Sequence, residues 1–134
     1  MAHSFLTFKE KIVRLRDSEI EAAMLALEGA TLRSTPNDDR LQEILKAWSN
    51  ESRSAPPGCV LLKLDLLQDV DRTKIVQAIS EAISYIMKEY PEFISKDLLN
   101  AMMPDAGRLE LYPSDIPTKP VLDCLQSLRD LLSQ

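Results

Sequence analysis

The sequence predicts a mainly α fold: a compact bundle or array of five to six amphipathic helices, with one small two-stranded β element at about 60–66 and 108–112. Three observations carry this. Apolar residues recur at intervals of three and four along most of the chain. Capping residues and prolines cut that pattern into helix-sized pieces. Strand-like alternation is confined to two short stretches. Helices with one apolar face must cover each other, which gives a bundle.

The elements follow in order. Phe5, Phe8, Ile12 and Leu15 are spaced for one face of a first helix. Ser18 to Glu21 fits a capping box that starts a second stretch, with Ile20, Ala23, Met24 and Leu27 as its stripe and Gly29 as its end. Thr35-Pro36-Asn37-Asp38 reads as a helix start, and Leu41, Ile44, Leu45 and Trp48 form the next face. That helix is expected to end near Asn50. Residues 50–58 are the best hinge candidate within one domain spanning 1–134. Val60, Leu62, Leu64 and Leu66 alternate, although Leu61 and Leu67 interrupt the polar face.

Ile75, Ile79, Ile83 and Ile86 then make the longest stripe, capped by Asp71 and stopped by Pro91. Its length predicts that this helix is central. Phe93, Ile94, Leu98, Leu99 and Met102 suggest a short helix before Pro104. Val121, Leu125, Leu128 and Leu132 define the last one, which starts near Thr118–Pro120.

Chemistry is sparse. His3 is the only histidine, near the start of the chain, so no triad or imidazole-based metal site is expected. Three glycines leave no phosphate-binding loop. Cys59 and Cys124 lack metal or redox spacing and are expected as free thiols. Asp65, Asp69 and Asp71 are the densest acidic cluster, but their spacing departs from a calcium loop. Neither a metal nor another cofactor is expected. Serine catalysis would need a lysine base, and no Ser-x-x-Lys arrangement opens a helix.

The net charge of −5 disfavours nucleic acid. The excess is uneven: residues 1–58 hold 8 basic and 9 acidic groups, and 59–134 hold 8 and 12. Without a secretory or membrane-spanning run, a cytoplasmic protein is expected. The resulting expectation is a non-enzymatic module, such as an inhibitor, immunity-type protein, chaperone or adaptor. It would be a monomer or homodimer that binds a basic protein partner through Asp65, Asp69 and Asp71. The alternative is an oligomerising subunit paired through the leucine-rich final helix. Around Lys9 and Arg16 an apolar arc is read first as long side chains covering the rim of the core, and otherwise as a face for an acidic partner or a membrane surface.

Overall fold

A helix built of small and apolar residues along its middle takes the centre. In the computed structural model, which describes residues 2–103 and 112–134, α1 (Asp17–Ser34) is packed on by helices α2 to α5. These are α2 (Asp39–Ser54), α3 (Asp69–Glu89), α4 (Lys96–Ala101) and α5 (Thr118–Leu132). Ile20 and every residue from Ala22 to Thr31 are buried. A helix covered all round has no polar face to present. Its small residues let neighbours come close. A Cβ on Gly29 would meet Leu98 Cδ1 of α4 at 3.0 Å. Gly29 is therefore a packing residue inside α1 and not its end.

The Ile75–Ile86 stripe of α3 is buried as its spacing predicts, but α3 lies outside α1 rather than at the centre. Its Gln77, Glu81 and Lys88 remain exposed. α5 packs on both α1 and α3, and buries Val121, Leu125, Leu128 and Leu132 there. Its leucines are used within the chain.

The amino-terminal segment is a hairpin and not a helix. β1 (His3–Phe8) pairs antiparallel with β2 (Lys11–Arg16), from His3↔Arg16 to Phe8↔Lys11. The residues spaced for one helical face split between the two faces of the hairpin, Phe8 and Leu15 inward and Phe5 and Ile12 outward. Ser4, Leu6 and Phe8 point inward, while Phe5 and Thr7 point out. Thr7, Ile12 and Val13 favour strands. Lys9 and Glu10 form the turn, both at positive φ (47° and 68°), as a two-residue hairpin loop of type I′ requires. His3 thus opens a strand.

The expected strand at 60–66 is not one. Val60, Leu62 and Leu64 are buried while Leu61, Lys63 and Asp65 are exposed, so the alternation holds without a ladder. Lys63 adopts a left-handed conformation (φ 56°), and Leu64–Leu66 form a 3-10 turn. Of its proposed partner, 108–111 lie outside the described residues and Tyr112 is not in a strand. The second small sheet joins β3 (Phe93–Ile94) to β4 (Ile116–Pro117).

Boundaries moved where side chains chose other partners. Asp38, not Thr35, caps α2: its Oδ1 accepts from Leu41 N–H at 3.1 Å. That bond, and Lys74 at 3.0 Å, hold the Asp38 carboxyl below its usual range. Glu21 accepts from the Tyr112 hydroxyl at 2.7 Å instead of closing a capping box. α2 continues to Ser54, so only 55–58 of the expected hinge is outside a helix.

Candidate functional site

Residues 59–67 form a strap that crosses from the end of α2 to the foot of α3, beside β1. Buried Val60, Leu62 and Leu64 anchor it to the core. Polar side chains fix its backbone. Asp17 accepts from the Ser4 hydroxyl at 2.6 Å and from Gly58 N–H at 2.7 Å. Ser4 Oγ in turn accepts from Val60 N–H at 3.0 Å. Glu51 accepts from Leu61 N–H at 3.1 Å. Asp65 accepts from Lys9 N–H of the hairpin turn at 3.1 Å. Bonds to a carboxylate are stronger than neutral ones, so the strap is held in one shape.

That shape leaves apolar side chains in water. Leu66 is 77% exposed, and Leu61 and Phe5 57% each. The three line one cleft of about 130 Å³ with Lys63 and Asp65 between them. On the other side of the strap, Leu61 and Leu66 also border a groove of about 340 Å³ against α2, with Arg40, Glu43 and Trp48. Burying such a ridge would gain roughly 25 cal/mol per Å². An immobilised ridge also loses little entropy on binding.

The three aspartates do not form one open cluster. Asp65 lies on the strap and Asp69 is exposed at the start of α3, beside Arg72 at 3.1 Å. Asp71 is buried, and Arg40 donates to it at 3.3 Å. Only Asp65 and Asp69 face solvent. Among the described residues no group of three His, Cys, Asp or Glu is placed to hold a metal ion. None of the described helices is long and apolar enough to cross a membrane.

Other polar groups belong to the framework. Burial, then the hydrogen bond to Glu21, raises the Tyr112 phenol far above its usual range. Burial pushes the Cys124 thiol up to about 12, with Glu19 adding to it. Glu28, buried in α1, pairs with Lys46 at 3.0 Å. Phe5, Leu61 and Leu66 escaped the sequence reading as site residues. The available signal was Leu61, an apolar residue on the polar side of an alternating run. Comparison with family models, curated proteins and solved structures finds no match.

Proposed function

We propose that this chain is a protein-binding module whose docking surface is the ridge formed by Phe5, Leu61 and Leu66. One observation carries the reading: three large apolar side chains stand exposed around one cleft between β1 and a strap that Glu51 holds at Leu61 N–H, Ser4 at Val60 N–H and Asp65 to the hairpin turn. An apolar centre with a charged rim is the usual anatomy of a protein interface. Lys63, Asp65, Arg40 and Glu43 supply the rim, and Asp69 lies farther along it as an electrostatic contact. Asp71 serves the fold through Arg40.

The test uses a partner identified by crosslinking and then purified. Leu61→Ser with Leu66→Ser is expected to weaken its binding about 100-fold, in line with the loss of central apolar anchors. The melting temperature should stay unchanged, because both side chains are already in water. Asp69→Asn is expected to change mainly the association rate and its salt dependence. Unaltered affinity in the double variant would refute the ridge as the docking surface.

A further inference from the structure

We propose that the outer edge of β2 takes an extended acidic segment of the partner protein as a third strand. This rests on the protein-binding reading above and names the chemistry of the partner. The two-residue turn at Lys9-Glu10 sets which backbone groups are used inside the hairpin. Its closing pair, Phe8 and Lys11, is hydrogen-bonded, and so are Leu6/Val13 and Ser4/Leu15, since such pairs alternate. Asp17 N–H donates to Ala2 C=O at 3.1 Å and continues the same parity. The N–H and C=O groups of Ile12 and Arg14 therefore point away from β1. Neither residue has a further hydrogen bond to a described residue. The edge of β1 is flanked by the strap, through Ser4 and Val60 and through the Leu64–Leu66 turn. α5 approaches both strands and α1 follows directly from β2, while Leu6, Phe8, Val13 and Leu15 turn the inward face of the hairpin to the core. At the edge of β2, Ile12 and Arg14 are exposed and their outward groups have no hydrogen-bond partner among the described residues.

Charge selects the occupant. The hairpin and strap, residues 3–16 and 59–67, hold five basic and two acidic residues, while the rest of the chain holds eleven and nineteen. The outward face of the hairpin shows Ile12, 64% exposed, beside Arg14 and Arg16, with Phe5 opposite Arg14. A strand that alternates acidic and apolar residues sets its acidic residues beside Arg14 and Arg16 on the outward face and its apolar residues beside half-buried Val13 and Leu15 on the inward face. A second copy pairing β2 to β2 about Arg14 would set arginine against arginine, which is repulsive. A bilayer would leave the outward N–H and C=O groups unpaired, at high cost.

The experiment titrates ¹⁵N-labelled chain at low salt with a peptide of about eight residues alternating Glu and Val, long enough for one strand. The comparators are the same peptide with alternate amides N-methylated, a Lys/Val peptide, and phosphatidylserine vesicles. The Ile12 and Arg14 amide signals are expected to shift with the acidic peptide only. Arg14→Glu is expected to weaken binding about tenfold or more, with helical circular dichroism unchanged. No shift at β2, equal binding of the N-methylated peptide, binding of vesicles instead, or self-association abolished by Arg14→Glu would each overturn the proposal. If the peptide fails while partner binding still depends on Leu61 and Leu66, strand addition is wrong and the ridge stands. If the peptide adds at β2 while the partner ignores those leucines, the ridge is wrong.

Discussion

At the scale of single residues, burial decides which groups react and which only hold the fold. Cys59 is exposed and Cys124 is buried, both as free thiols. Burial, and to a lesser degree Glu19, raises the Cys124 pKa to about 12, so it carries almost no thiolate near neutral pH. Alkylation of native protein at about pH 8, near the ordinary thiol range, should modify Cys59 quickly and Cys124 only after unfolding. Mass spectrometry of labelled peptides checks this, and equal rates would mean that the α5 contact opens readily. Glu28 and Lys46 make a different case. The carboxylate is buried while the ammonium is half in water. Lys46→Met strands a buried charge and should cost about 1–3 kcal/mol in urea unfolding. Lys119→Met, which removes a fully surface pair with Asp123, should change stability by less than about 0.5 kcal/mol.

Elements differed in how well they could be read. α3 and α5 were legible because an uninterrupted 3–4 stripe over several turns has one structural solution. The hairpin was not. Phe5, Phe8, Ile12 and Leu15 fit one helical face, while the interleaved Leu6, Phe8, Val13 and Leu15 fit the inward face of the hairpin, and the turn offers no Asn or Gly to decide between them. Lys9 and Glu10 hold positive φ against their own preference, with Asp65 bonded to the Lys9 N–H. Glu10→Gly should therefore stabilise the chain by about 1 kcal/mol in thermal melts, and a lower melting temperature would contradict the turn assignment. The central place of α1 was hidden for another reason. Its even burial gives no stripe, and α3 shows a bolder one. Ala22, Ala23, Ala26 and Gly29 are small because other helices pass close by. Ala26→Leu should overpack that contact and cost about 1–3 kcal/mol, read by denaturant unfolding. Neutrality there would place α1 nearer the surface.

For the whole molecule, the buried core and the proposed docking surface occupy different parts of one chain. The helices bury their stripes around α1, while the hairpin and strap keep Phe5, Ile12, Leu61 and Leu66 in water. The charge divides the same way, with a basic hairpin and strap on an acidic body. Sequence alone showed an acidic excess and pointed to the aspartates, since it could not show Asp71 turning inward to Arg40. It contained Leu61 and Leu67 as misfits of the alternation. Only the fold tells which is exposed: Leu61 stands in water, and Leu67 is half-buried against the core. The most direct test of the central claim is the equilibrium affinity of the purified partner for Leu61→Ser/Leu66→Ser beside the native chain, measured calorimetrically together with both melting temperatures. The account predicts affinity about 100-fold weaker at an unchanged melting temperature. Equal affinities would contradict it.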